Sequence, residues 1–280
     1  MPSWLALALA ALIVWSIQRA LSKAVLAVLS TPQFYALSAL VALPIYLPTL
    51  VLDPPPPGAF PGALGLSAMM AVTFGVTTEA IRRGPVTRVS PITGLSLALT
   101  ATLAFMILGE RPTLLRLLGI GLAVAAVAVL GYRRESREGR SASPWLALAL
   151  ASLALQGVGA FLAKVVVTPS GPSALLVTGA AVQVAVGSAL LRHAREPFPR
   201  LRGRLLRWTV LVLVLAALAT IGYLWALSEG PASVIVPLVA MSPGLGGLIG
   251  AVALHERPTR WQYAGIGCGI TAAILLALPA

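Results

Sequence analysis

The chain has 280 residues, of which 58% are apolar and 10% charged, and its 20 Lys and Arg against 8 Asp and Glu give a net charge of +12. So few charges cannot cover the surface of a soluble fold of this size, and a disordered chain would be poor in apolar residues. What remains is an integral membrane protein, with helices rather than alternating barrel strands, because the apolar runs (117–130 and 205–219, for example) are long and unbroken.

At about 20 residues per crossing, ten spans are predicted: 3–22, 33–52, 62–81, 86–108, 113–132, 144–165, 173–191, 205–227, 232–254 and 259–279. The first could pass for a signal peptide, but it lacks a basic leader and its sequence returns in mid-chain, so it reads as a structural helix. Asp53-Pro54-Pro55-Pro56-Pro57-Gly58 closes the second span, because prolines offer no amide donor and clash with the preceding turn. Gly84-Pro85 and Gly230-Pro231 mark tight turns. Residues 133–143 form the most polar stretch, a linker, and Arg192–Arg207 is a second basic loop. A single cysteine, Cys268, excludes an internal disulfide and a cysteine-based metal cluster.

The chain repeats itself. Shifted by 141 residues, Trp4–Ala10 falls on Trp145–Ala151 and Lys23 on Lys164. Further on the shift is 146: Gly84-Pro85 falls on Gly230-Pro231, Pro91 on Pro237, Glu110-Arg111-Pro112-Thr113 on Glu256-Arg257-Pro258-Thr259, and Gly119-Ile120-Gly121 on Gly265-Ile266-Gly267. Residues 1–140 and 141–280 therefore read as two homologous five-helix units. Five is odd, so the second unit enters the membrane from the opposite side, giving an inverted-topology repeat of the kind common in secondary transporters. Counting parity, most Lys and Arg fall on the face opposite the N-terminus, which makes that face cytoplasmic and puts both termini outside.

The proline early in each fourth helix, the acidic turn before each fifth (Gly109-Glu110, His255-Glu256) and the following Gly-Ile-Gly resemble the EamA family of the drug/metabolite transporter superfamily. His255 departs from the first repeat, which has Gly109 there. The resemblance covers the whole chain. It implies ten helices, with helices 1–4 and 6–9 around a central cavity and 5 and 10 outside, and export or import of amino acids, other small metabolites or cations. It also implies a bacterial or archaeal cytoplasmic membrane.

Several side chains are candidates for the site, each beside a purely structural reading. Arg19, well inside the first helix, suits an anion clamp for a substrate carboxylate; the alternative is a snorkelling or carbonyl-bonded arginine. Trp15 lies one turn earlier and Gln18 is adjacent. Gln156 occupies the repeat position of Trp15, where it either lines the cavity or packs between helices. Glu79 offers a proton-coupling site, or a local pair with Arg82 or Arg83. Pro91 and Pro237, with Ser96 and Ser242 behind them, read as hinges or as static kinks. Tyr223, Trp225 and Tyr35 offer rings for stacking on substrate or for anchoring at the interface, Tyr223 being the favoured one. Glu110 and Glu256 suit the dipole of the helix they precede.

Enzyme signatures are absent: no HExxH, no phosphate-cradling glycine loop and no nucleophile elbow. The expectation is a secondary transporter without cofactor or metal. Its substrate would be a small anionic or zwitterionic compound, an amino acid first, bound near the midplane between the repeats and exposed to each side in turn. Membrane lipids are expected partners at the basic loops, and nucleic acid is not. The rivals are a cationic-drug or nucleotide-sugar carrier and, from another class, a channel or a scaffold without transport. Oligomeric state is not readable.

Overall fold

A computed structural model describes residues 2–26, 28–83, 89, 92–131, 144–199, 201–242, 245, 249 and 260–278. Helices account for most of them, and no strand occurs among the described residues. In order they are α1 (Ser3–Leu26), α2 (Thr31–Tyr46), α3 (Thr49–Leu52), α4 (Ala59–Arg83), α5 (Ser96–Ile107), α6 (Leu114–Gly131), α7 (Pro144–Ser170), α8 (Pro172–Ala194), α9 (Gly203–Glu229), α10 (Ala232–Val239) and α11 (Arg260–Ala277).

Among the described residues, six spans are long and apolar enough to cross a bilayer: Ser3–Ser22, Thr31–Leu52, Ala59–Ile81, Pro144–Ser170, Pro172–Ala194 and Gly203–Glu229. Shorter apolar helices run over Ile92–Ile107, Leu114–Val129 and Tyr263–Leu276. The chain is thus an all-helical integral membrane protein. The expected second span holds as Thr31–Leu52, with a turn at Leu47 and Pro48 inside it. Pro44 lies inside α2 and Pro48 caps α3; neither has an amide to bond the preceding turn, so the helix stops at Tyr46 and restarts at Thr49. In the expected ninth span α10 runs to Val239, two residues after Pro237; Ala240 and Met241 turn, and Ser242, Leu245 and Ile249 are helical again. The linker 133–143, the Gly84-Pro85 turn and Pro91 lie outside the described residues.

The helices gather into two compact units, and each draws on both halves of the chain: Met1–Ala71 with Lys164–Glu229, and Val72–Ala163 with Gly230–Ala280. In the first unit α1 lies along α9 and α2 along α8, with α9 also touching α2 and α8. Val25, Leu29 and Val212 form its buried cluster, covered by Leu21, Phe34, Leu37 and Leu201. In the second, α6 lies along α11 and α5 along α10. Small residues set these distances, since lipid offers helices no hydrophobic drive to associate and close van der Waals approach must supply it. At Gly187 of α8, a Cβ would stand 2.9 Å from the Cα of Ala36 on α2; at Gly119 of α6, 2.8 Å from the Leu276 side chain on α11.

Carboxylates tie helix starts to distant parts of the sequence. Glu229, at the end of α9, accepts from the Ser3 hydroxyl at the start of α1, at 2.6 Å. Asp53, after α3, accepts the Ser173 amide at the start of α8 at 3.3 Å, while the Ser173 hydroxyl donates to the Asp53 carbonyl. Glu196, after α8, accepts from the hydroxyl of Ser30, the N-cap of α2. Glu110 accepts the amides of Ala232 and Ser233 at 2.8 and 3.0 Å, and the Ser233 hydroxyl, at the start of α10. Each acid lies at the start, the positive dipole end, of a helix from the other half of the chain; Asp53 and Glu110 accept its orphan amides, Glu196 and Glu229 a serine hydroxyl. The helix Glu110 serves is therefore α10 and not, as its sequence position suggests, the helix that follows it.

Candidate functional site

The first half of the candidate set comes together on α1 and α9. The Trp15 ring meets the Tyr223 ring with centroids 5.5 Å apart and planes tilted by 46°. Both are half-buried, and so is Gln18. Arg19 is one helical turn beyond Trp15 and exposed. α1 runs on for seven residues to Leu26, and the apolar span Ser3–Ser22 ends three residues beyond Arg19. From there a long cationic side chain can extend toward the interface. Close by, the Ser22 hydroxyl donates to the Arg19 carbonyl at 2.8 Å. Tyr35 belongs to α2, where Gln183 of α8 is its hydrogen-bond partner.

A second group assembles on α4 and α7. Gln156 Nε2 lies 2.9 Å from Ser152 Oγ and 3.2 Å from Thr77 Oγ1, and the two hydroxyls are 2.5 Å apart. Ser96 opens α5, and its carbonyl accepts from Thr100, whose hydroxyl also lies 2.9 Å from the Gly157 carbonyl. That contact holds α5 against α7 at a point where a Cβ on Gly157 would stand 2.7 Å from the Leu99 side chain. Ser242 is buried just past α10, and Pro237 is buried within it.

Thr77 and Ser152 are the residues that sequence reasoning missed. One signal was available: the 146-residue shift that aligns the second halves of the repeats carries Thr77 onto Tyr223, just as the 141-residue shift carries Trp15 onto Gln156. The ring pair Trp15–Tyr223 and the hydrogen-bonded pair Gln156–Thr77 are therefore repeat equivalents.

The charges sort themselves. The four inter-half caps engage Asp53, Glu110, Glu196 and Glu229, and Glu79 is paired with Arg83 at 2.5 Å, one turn away and at the exposed end of α4. Every acid among the described residues is thus engaged; Glu135, Glu138 and Glu256 lie outside them. Lys164 Nζ donates to the carbonyls of Leu227 and Ser228, at 2.7 and 3.1 Å, near the negative end of α9. No group of three or more metal-ligating side chains occurs among the described residues.

The EamA-like transporter family model matches residues 2–132 and again residues 143–278. The chain belongs to the EamA-like transporter family. This places the EamA chain in the drug/metabolite transporter superfamily, whose members are membrane transporters and not enzymes. A solved crystal structure superposes on it with a TM-score of 0.79, covering 98% of this chain and 96% of its own, at 16% identity. At that identity the likeness shows the fold alone. No curated protein matches the chain.

At the start of α9 the EamA chain carries an open groove of about 410 Å³ lined by Arg204, Arg207, Trp208 and Leu211. These positions follow one face of the helix, running from two guanidinium groups to an indole to an apolar side chain.

Proposed function

We propose that this EamA protein is a secondary transporter of a small anionic or zwitterionic metabolite, an amino acid above all, working by alternating access. One observation carries the choice of substrate charge: every described acid is committed to a helix start or a local ion pair, and the charge that an apolar helix brings to within one turn of the Trp15–Tyr223 pair is the cation of Arg19. A carrier of cations would want an intramembrane acid with no such commitment. In this proposal Arg19 grips the carboxylate, Trp15 and Tyr223 bound its apolar part, and Gln18, Tyr35, Gln156, Ser96 and Ser242 offer polar contacts. Pro91 and Pro237 are the hinges. The local pair with Arg83 favours the interfacial role for Glu79 over proton coupling.

Ten crossings in two inverted repeats complete the proposal, with both termini outside a bacterial or archaeal cytoplasmic membrane and the basic loops inside. The α9 groove would then lie at the cytoplasmic interface, where Trp side chains settle and anionic lipid headgroups are drawn to arginines. A double R204A/R207A variant should lose the stabilisation that phosphatidylglycerol confers over phosphatidylcholine; equal stabilisation of variant and wild type would remove the lipid from the proposal.

Thermal unfolding in detergent tests the substrate. A ligand at 100 times its Kd stabilises by about 2.7 kcal/mol. An amino or organic acid should raise the Tm of wild type and not of R19A. Stabilisation of both proteins alike, or by organic cations alone, would overturn the anion clamp.

A further inference from the structure

The hydrogen bonds around Gln156 have a fixed direction. Thr77 Oγ1 lies 2.8 Å from the Thr73 carbonyl one turn earlier. A carbonyl only accepts, so the single Thr77 proton goes there, the usual back-bond of a helical threonine. Ser152 Oγ, 2.5 Å from Thr77 Oγ1, must then be the donor of that pair, which uses its own single proton. Gln156 faces both hydroxyl oxygens, at 3.2 and 2.9 Å, and neither has a proton left to give. The group turned toward them is therefore the NH2 of the amide, with both its hydrogens used. The network, and not the outline of the side chain, assigns the two ends of the amide.

This leaves Gln156 Oε1, on a half-buried side chain, as an acceptor that the network does not use. No donor among the described residues reaches it. It is not sealed in the interior either: Thr209 Oγ1 is the buried side-chain polar atom that lacks a partner among the described residues. Gln156 is near the middle of α7, about 18 Å from Pro144 and about 21 Å from Ser170 at 1.5 Å per residue. At that depth an accessible carbonyl oxygen is costly against lipid and is tolerated where it lines a polar cavity or meets a ligand.

We propose, resting on the anion-carrier function above, that Gln156 is a specificity residue whose Oε1 accepts a hydrogen bond from the substrate. The substrate then carries an N–H or O–H donor as well as its acid group. Thr77 and Ser152 are positioning residues: they hold the amide so that its acceptor, not its donor, is presented. A bare carboxylate leaves that acceptor unmet, and discrimination by an unpaired polar group is steep.

The test compares the affinities of matched acids that differ only at the second carbon: alanine, lactate and propionate, then glutamate, 2-hydroxyglutarate and glutarate, then phenylalanine, phenyllactate and phenylpropionate. Thermal shift of the detergent-solubilised protein is the readout. Wild type should prefer the amino or hydroxy acid of at least one series over the bare acid by tenfold or more, and which of the two it prefers tells amine from hydroxyl. Q156L should bring the ratio close to one. T77V and S152A should lower it several-fold, a change of selectivity that a purely structural role would not cause; these two keep the test open should Q156L fail to fold. Equal affinity for bare and substituted acids in wild type, or an unchanged ratio in all three variants, overturns the proposal and leaves the anion clamp standing. No stabilisation by any acid overturns both.

Discussion

Two helix seams of this protein descend from one. On α1 and α9, Trp15 meets Tyr223 ring to ring; on α7 and α4, their repeat equivalents Gln156 and Thr77 meet through a hydrogen bond. The neighbours differ in the same sense. Ser152, which completes the polar group, stands where the first repeat has the fully buried Ala11. The backbone pairing of the two seams has outlasted the duplication while the chemistry at its centre has not. A faithful duplication would present every group twice. One aromatic seam and one polar seam do not.

Three substitutions sharpen the comparison. The largest effect is expected at Gly157, the tightest point of the polar group, where the new methyl of G157A would stand 2.7 Å from Leu99. Overpacking costs roughly 1–3 kcal/mol, so the variant should show a fall in Tm of several degrees and a smaller folded fraction by fluorescence-detected size exclusion; wild-type behaviour would mean that α5 and α7 are not held so closely. In the aromatic seam, W15A removes half-buried ring area and the contact to Tyr223. A fully buried Trp→Ala change costs about 3–5 kcal/mol, and half that is expected here, read as a Tm loss that Y223A adds little to. Additive losses would show that the rings are independent. The smallest effect belongs to T77V, because interhelical hydrogen bonds in membranes average about 0.6 kcal/mol; a loss as large as that of W15A would mean that the polar seam, and not the aromatic one, holds its helices together.

Much of the fold is legible in the residues because its causes are local. Apolar runs mark the spans, and proline and glycine mark their ends; Pro44 and Pro48 go further and put a turn inside a span that hydropathy draws as continuous. The shifts of 141 and 146 residues reveal the repeat without any structure. The site is less legible. Trp15 and Tyr223 stand out as large aromatic residues in apolar helices, but Thr77 and Ser152 are ordinary small polar residues whose role comes only from the packing of α4 on α7. Arg19 was legible as an unusual charge in an apolar helix. The destinations of the acids were hidden: the partner of Glu110 is 123 residues away, and nothing in its own surroundings names Ser233.

Those distant carboxylates also set a clock. Ser3 is separated from Glu229 by 226 residues, a delay of roughly 11–45 s at ordinary rates of chain synthesis. Asp53 leaves the ribosome long before Ser173, and Ser30 long before Glu196. Until the second half arrives, the first half sits in the membrane with helix starts and acids whose mates do not yet exist. A chain cut short in synthesis would carry those unmatched groups permanently, and so be distinguishable from a finished one by the proteases that survey the bilayer.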